Sequence, residues 1–279
     1  LLYHIGDFMH LGKQLAAGKT KIVFAHPDDP ALVVLQHKDG ITAGDGARRA
    51  AIPGKGALAG RTTANVFALL NRAGIATHFV AAPEPTLTIA RRCVMIPLEV
   101  VMRRLATGSY LRRHPDIAEG TRFDPPLVEF FLKDDQRHDP QITEQAIVDQ
   151  QVATAQEVNA MTAMGRRVFD ILEQAWNAQE VTLVDLKIEF GRLWAATTQA
   201  SASAVAPPDI GAQLPELLVA DVIDNDSWRI WPDGEKSRML DKQVYRNAQE
   251  VNDELLEDIR HRYALVADMT CLFQDYQIP

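Results

Sequence analysis

Residues 183–191 read LVDLKIEFG, with Asp185, Lys187 and Glu189 alternating with Leu186, Ile188 and Phe190. On a β-strand successive side chains point to opposite faces. The three charges then share one face, and Val184, Leu186, Ile188 and Phe190 share the other. On a helix the same residues scatter, with Lys187 opposite the two acids. The β-branched and aromatic content, closed by Gly191, selects the strand. Two readings of the charged face stay open at this point. One is a half-exposed strand whose charges are simply wet. The other is an active-site strand, where two carboxylates hold a metal ion and the lysine holds an anion.

Outward from this stretch, the first ~90 residues read as β-rich. KIVFA (21–25) and LVVLQ (32–36) are short strands separated by the turn cluster HPDDP, and HFVAA (78–82) and TLTIA (86–90) are two more. Between them lies a glycine-rich loop, DGITAGDGARRAAIPGKG (39–56), and then a helix expected to be capped at Thr62 or Thr63 and to end at Gly74. VMIPLEVVMRR (94–104) is a strand around Pro97. The stretch 144–177 is the longest helical candidate, with Val158, Met161, Val168, Ile171, Leu172 and Ala175 on one face. LLVADVI (217–223) is read as a strand, and ATTQASASAVAPPDIGAQLP before it as a loop. A last helix over about 248–267 has Val251, Leu255, Ile259 and Tyr263 as its stripe. Strands first and mixed elements later predict an α+β or α/β protein of two lobes. We place a β-rich lobe at 1–92 and an α/β lobe at 93–279.

Size and composition set the limits. The chain has 279 residues, 47% of them hydrophobic, which is enough for a sizeable core. Its formal net charge is −8, so it is a poor general binder of nucleic acid or of anionic membranes. Two cysteines, Cys93 and Cys271, make no disulfide framework and fit a reducing compartment. No apolar run approaches the roughly 18 residues of a membrane span. The opening LLYHIGDFMHLGKQ lacks the basic and apolar regions of a signal peptide, so a cytoplasmic location is expected.

Several stretches carry possible chemistry. GKT (18–20) is not a P-loop: Gly12 and Gly18 have five residues between them where four are required, and a strand follows where a helix is needed. A glycine-containing turn with Lys19 and Lys21 can still cover a polyphosphate, or be an ordinary hairpin. Arginines 91, 92, 103, 104, 112 and 113 surround ATGSY (106–110). In an acidic chain such a cluster suits a small anion, since guanidinium forks match phosphate or carboxylate, although a solvated basic face is the plainer alternative. ADVIDNDSWRIWP (220–232) offers Asp221, Asp224, Asp226 and Arg229, and a strand ending in carboxylates can meet Glu189 around magnesium. FLKDDQRHDP (131–140) offers Lys133, Asp134, His138 and Asp139 in what reads first as a capped loop. No zinc spacing and no G-x-S-x-G elbow is present.

Together these stretches resemble the phosphoribosylaminoimidazole-succinocarboxamide synthase (SAICAR synthetase) family. MIPLEVVMRRLATGS (95–109) is similar to its P-x-E-x-x-x-R-x-x-x-T-G-S segment, and LVDLKIEFG to its D-x-K-x-E-F-G segment. GKTK (18–21), TAGDGAR (42–48), IPGKG (52–56), KDDQRHDP (133–140), DNDSWRIWP (224–232) and DKQVYR (241–246) follow in family order over about 230 residues. The resemblance implies a two-lobed fold of ATP-grasp or kinase-like kind, with ATP between a small β-rich lobe and a larger α/β lobe. It implies an ATP-dependent ligase joining L-aspartate to carboxyaminoimidazole ribonucleotide, with phosphorylation of the ribonucleotide's carboxylate.

The resemblance also implies roles. Gly18, Lys19 and Lys21 would hold ATP phosphates, and Glu189 and Asp221 would hold Mg²⁺. Lys187 would steady the transferred phosphoryl group, with Asp185 orienting Lys187 or the substrate. Arg103, Ser109 and Arg229 would bind the ribonucleotide's phosphate, and Asp45 would approach the imidazole. Lys133, Asp134, His138 and Asp139 would shape the site. Val222 stands where some members have a second acid, which argues against a third carboxylate on the metal. Trp228 stands where the family often has a small residue, and the 195–216 loop is longer than in compact bacterial members. A kinase of a small phosphorylated metabolite on the same scaffold, or a non-catalytic nucleotide-binding relative, remains an alternative. The oligomeric state is open, a homo-oligomer being compatible with the sequence.

Overall fold

The computed structural model describes residues 10–43, 47–194 and 216–278. Asp45 and the 195–215 stretch lie outside the described residues. In chain order the first half comprises β1 (Gln14–Ala17), β2 (Lys21–Ala25), β3 (Leu32–His37), β4 (Gly40–Ala43), β5 (Arg48–Ala51), α1 (Lys55–Arg72), β6 (Phe79–Glu84) and β7 (Leu87–Arg91). Five of these strands form one sheet in the order β1-β2-β3-β7-β6, and β4 and β5 pair as a separate hairpin. Next come β8 (Cys93–Leu105), α2 (Ser109–Arg113), β9 (Arg122–Leu132), β10 (Gln141–Ile142), α3 (Glu144–Asp149), α4 (Ala155–Asn177) and β11 (Val181–Leu193). The chain closes with β12 (Leu217–Ala220), β13 (Trp228–Pro232), α5 (Gln243–Asn247) and α6 (Asp253–Cys271). Here the sheet order is β10-β9-β8-β11-β12, with β13 also on β11. The result is the expected two-lobed α+β architecture, and Arg92 alone separates the last strand of one sheet from the first of the other.

LVDLKIEFG is the middle of β11, the strand around which the larger sheet is built. Its Leu186, Ile188 and Phe190 pack against Val158, Met161, Val168, Phe169 and Leu172 of α4 and against Val66, Phe67 and Leu70 of α1. A register shift between Leu183 and Asp185 turns Leu183 into the same core; Val184, expected there, is buried outside that cluster. Gly191 closes the motif for a steric reason. A Cβ there would lie 2.6 Å from Cys93 Cβ on the neighbouring strand. The smaller sheet has only a slight core of its own, Val33, Leu35 and Ala90 with Val23. α1, although it precedes β6 and β7, gives its apolar face to the larger core.

Four boundaries differ from the sequence reading. α1 begins at Lys55, well before Thr62 and Thr63, which are fully buried within it. Its first turn is capped by a distant carboxylate, Asp39, which accepts from Gly54 N at 3.1 Å and Gly56 N at 2.8 Å. The 144–177 helix is two helices. Thr143 caps α3, and Thr154 opens α4 with a capping box to Glu157. The strand read over 217–223 stops at Ala220, because Asp221 adopts φ +66°. The last helix starts at Asp253 under Asn252 and runs to Cys271, leaving Val251 exposed ahead of it.

Candidate active site

Strand register builds the site. Asp185 of β11 lies directly between Arg103 of β8 and Arg229 of β13. Two residues on, Lys187 pairs with Val101, and two further, Glu189 pairs with Glu99 on one side and Ala220 on the other. Partners on the far edge of β11 change midway: β13 covers Val181–Leu186 and β12 covers Glu189–Arg192. Lys187 faces the gap, where its backbone N donates to Ser227 O at 2.7 Å. The chain fills that gap with the turn between β12 and β13, so Asp221 and Asp226 come to the cleft beside the charged face of β11, while Asp224 is buried within the turn and accepts from Asp226 N at 2.8 Å. Asp185 and Glu189 are 6% and 3% exposed, which rules out the wet-strand reading of that face.

Each buried charge on this face has a partner, as desolvation demands. Arg103, 3% exposed, donates to Glu129 at 2.5 Å and to Asp185 at 2.9 Å. Arg229 also donates to Asp185, and Arg113 to Glu129. Asp185 therefore holds two arginines and makes no hydrogen bond to Lys187, which leaves the substrate, of the two partners expected for it, as the one it could orient. Lys187 donates to Glu99 at 2.8 Å and Glu189 at 3.3 Å, and Lys133 donates to Glu189 at 2.7 Å. Lys21, from the other sheet, is ion-paired with Asp221.

Electrostatics divide the two carboxylates expected to hold metal. Burial, reinforced by Asp221, pushes Glu189 above the usual carboxylate range despite Lys187 and Lys133. Burial would do the same to Asp221, but Lys21 and Lys187 overcome it and hold Asp221 well below that range. Lys187 would lose charge through burial, yet Glu189 and Glu99 raise it well above an ordinary lysine. The two neighbouring carboxylates therefore favour its charged, ammonium form.

Three compartments with shared walls make one cleft. The first, about 690 Å³, is lined by Arg48, Gly108, Ser109, Arg112, Arg229 and Arg246 among others. Its neighbour, about 440 Å³, shares Ser109, Arg229 and Arg246 and adds Arg103, His138, Asp185 and Lys187. The third, about 990 Å³, runs from Lys187, Glu189 and Asp221 to Gly18, Lys19 and Lys21 at the β1–β2 turn. Gly108 is in the left-handed region at φ +58°, and a Cβ on it would meet Arg229 Nη2 at 2.6 Å. That explains the glycine of T-G-S: the Arg229 guanidinium lies against the backbone there.

Residues 14–262 match a family model described as SAICAR synthetase. The chain belongs to the SAICAR synthetase family. The phosphoribosylaminoimidazole-succinocarboxamide synthase of Chloroflexus aurantiacus is 67% identical over 262 residues, covering 94% of this chain and 97% of the relative. The crystal structure of the synthase from Ehrlichia chaffeensis superposes with a TM-score of 0.79 at 30% identity, covering 93% of this chain and 98% of that one. A SAICAR synthetase (Type-2) in complex with ADP gives a TM-score of 0.73 at 29% identity, covering 89% and 96%.

Against the SAICAR synthetase motifs, Gly18, Lys19, Lys21, Arg103, Ser109, Lys133, His138, Asp185, Lys187, Glu189, Asp221 and Arg229 all line the one cleft. Asp134 does not: its carboxylate caps the following turn, accepting from Gln136 N, Arg137 N and Arg137 Nε. The sequence reading gave no role to Arg246, Glu99 or Lys55, and named Arg112 and Asp226 only within wider clusters. Arg246 borders all three compartments and stands in DKQVYR, a stretch already quoted for its resemblance. Asp226 is bound by Lys242 at 2.7 Å and by the Tyr263 hydroxyl of α6. Lys55 is 1% exposed with its ammonium 5.0 Å from the Tyr263 ring centre. No spacing in the sequence signals those contacts, because α1, α5 and α6 meet only in the folded chain.

Proposed function

We propose that the cleft carries out the family's ligation with the ribonucleotide laid along the charged face of β11. Membership of the family makes the chain an ATP-dependent ligase of purine biosynthesis, forming the succinocarboxamide from L-aspartate and carboxyaminoimidazole ribonucleotide. The observation that carries the placement is the order of chemistry along one strand: arginines at Asp185, an ammonium at Lys187, carboxylates at Glu189 and Asp221. Four residues of strand span on the order of 13 Å, a length a ribonucleotide bridges from phosphate to base substituent.

Ser109, Arg112, Arg229 and Arg246 bind the ribonucleotide's phosphate, and Asp185 with Arg103 keeps Arg229 in place. Lys19 and Lys21 bind the ATP phosphates from the β1–β2 turn. Glu189 and Asp221 are two largely buried carboxylates that repel each other, and such a pair of oxygen donors fits a divalent cation whose remaining ligands come from phosphates and water. Magnesium, held by Glu189 and Asp221, would there neutralise polyphosphate charge. A carboxylate oxygen of the ribonucleotide attacks the γ-phosphorus, and the bond to the β–γ bridging oxygen breaks to release ADP. Lys187 stabilises charge on the phosphoryl group in flight. The amine nitrogen of L-aspartate then attacks the acyl carbon, inorganic phosphate departs, and the amine gives up a proton. Lys133 and His138 stand at the rim where the second substrate arrives.

We place the lobe boundary at 92/93 and the enzyme in the cytoplasm. No helix among the described residues is long and apolar enough to cross a membrane. The test is isotopic: with ¹⁸O in the ribonucleotide's carboxylate, turnover should deliver one ¹⁸O to inorganic phosphate. Unlabelled phosphate would rule out the acyl phosphate, and labelled phosphate retained on the ribonucleotide as final product would mark a kinase instead.

A further inference from the structure

The β4–β5 hairpin stands apart from both larger sheets. Its apolar face packs on α5 and α6 instead: Ile41 and Ile52 share a core with Tyr245, Ile259 and Tyr263, and Ala43 and Ala50 lie against it. In the hairpin register Ala43 pairs with Arg48 and Ile41 with Ala50. Residues paired across strands, or two apart along one, share a face. Arg48 therefore points the same way as Ile41, toward α5, where a half-buried guanidinium needs acceptors.

It finds them at the end of α5. Arg48 Nη1 donates to Tyr245 O at 3.0 Å and to Ala248 O at 2.6 Å, with its guanidinium 5.9 Å from the centre of the Tyr245 ring. The last carbonyls of a helix have no donor within it, and an arginine near the C-terminus supplies one. The start of α5 is tied separately: Lys242 N donates to Asn225 O at 3.1 Å and Lys242 Nζ to Asp226 at 2.7 Å. Past Ala248 the chain is exposed through residue 252, so the Arg48 clasp fixes α5 just before that stretch. Arg246 lies between the two clasped carbonyls. It is exposed and borders all three compartments of the cleft, and among the described residues no hydrogen bond or ion pair holds its guanidinium. Its aim depends on where the α5 backbone stands.

We propose that Arg48 is a positioning residue for Arg246: its guanidinium clasps the carbonyls on either side of Arg246 and sets that arginine in the wall that meets the ribonucleotide's phosphate. This rests on the proposed phosphate role of Arg246. Arg48 also lines the first compartment, so the test separates a clasp from a direct phosphate contact.

The test is initial-rate kinetics on wild type, Arg48→Met, Arg48→Lys, Arg246→Met and the double variant Arg48→Met/Arg246→Met. Methionine keeps an unbranched apolar stem and removes the donors. We expect Arg48→Met to raise the KM for the ribonucleotide about tenfold and to leave kcat and the KM for ATP within twofold. Lysine, one bond shorter, keeps N–H donors on a single nitrogen, as Nη1 does, and should hold the KM within threefold of wild type. The double variant should be no worse than Arg246→Met, because Arg48 acts through Arg246. If methionine prevents folding, Arg48→Gln, two bonds too short, replaces it with the same expectation. Additive losses in the double variant overturn the clasp and make Arg48 a direct phosphate ligand. An unchanged KM in the donor-less variant, beside a defective Arg246→Met, overturns the role of Arg48 alone. Equal rises in both KM values with a fall in kcat overturn it too, as a general structural effect. An Arg246→Met variant with a normal KM for the ribonucleotide overturns the phosphate assignment and this inference together.

Discussion

Arg103 shows how one residue serves structure and site at once. Its guanidinium binds two buried carboxylates, Glu129 and Asp185, and reaches Ser109 Oγ at 3.4 Å. Read from sequence alone, it was expected mainly to bind the ribonucleotide's phosphate. Removing it would strip each buried carboxylate of one of its two arginines, leaving Asp185 to Arg229 and Glu129 to Arg113, which costs on the order of 1.5–3 kcal/mol. Arg103→Ala should therefore lower the urea midpoint as well as raise the KM for the ribonucleotide; a purely kinetic defect would contradict the geometry. Gly108→Ala is the complementary case. It forces a Cβ against Arg229 without removing a charge. We expect the KM for the ribonucleotide to rise tenfold or more with the KM for ATP unchanged, read from initial rates.

Asp241 gives a pH signature. Burial pushes its carboxyl up to about 6, even though Gln243 N and Ile230 N donate to it. In the unfolded chain the same group titrates near 3.9. Between those values the folded state keeps a proton that the unfolded state has released. The group's contribution is therefore complete below pH ~4 and is lost as pH rises to about 6. Asp241→Asn should gain on wild type, by about 2 kcal/mol, between pH 4 and pH 8. Denaturant unfolding at the two pH values checks this, and a constant difference would contradict it. At this scale the types of chemistry were legible in the sequence: Lys187, Glu189, Asp221, Ser109 and Arg229 all reach the cleft. Their partners were not, since Glu129 and Lys21 find Arg103 and Asp221 only through strand register and lobe contact.

Elements were legible where their signals are local. KIVFA is β2 to the residue, and the α4 stripe of Val158, Met161, Val168 and Leu172 is core. They were missed where the signal is distant or was overlooked. Asp39 caps α1 from 15 residues before Gly54, so no local pattern marks Lys55 as the start. Thr154 and Glu157, in contrast, form a capping box that is written in T-A-Q-E and breaks the 144–177 stretch in two. Glu157 also accepts from Arg192 Nε at 2.5 Å, tying the start of α4 to β11. Thr154→Ala should cost about 1–2 kcal/mol by loss of the cap, seen as a lower midpoint in thermal or urea unfolding. The kinetic constants should be unchanged, because the cap lies across the sheet from the cleft; a fall in kcat would mean that α4 sets the geometry of β11's charged face.

At the scale of the molecule, an acidic chain of net charge −8 concentrates arginine and lysine along one cleft. That contrast suits small anionic substrates, while composition alone marked the chain as a poor general binder of polyanions and could not name a ligand. The α+β character was legible in the change from strands to mixed elements along the chain. The share of α1 in the larger core was not, because a helical stripe does not say which sheet it will cover. The whole account turns on a single cleft that joins three substrates. Its most direct test is ADP release in Mg²⁺ with ATP alone, then with carboxyaminoimidazole ribonucleotide, with L-aspartate, and with both. The account predicts ADP only when both are present, in equal amount to the succinocarboxamide identified by mass. ADP formation that ignores L-aspartate would contradict it.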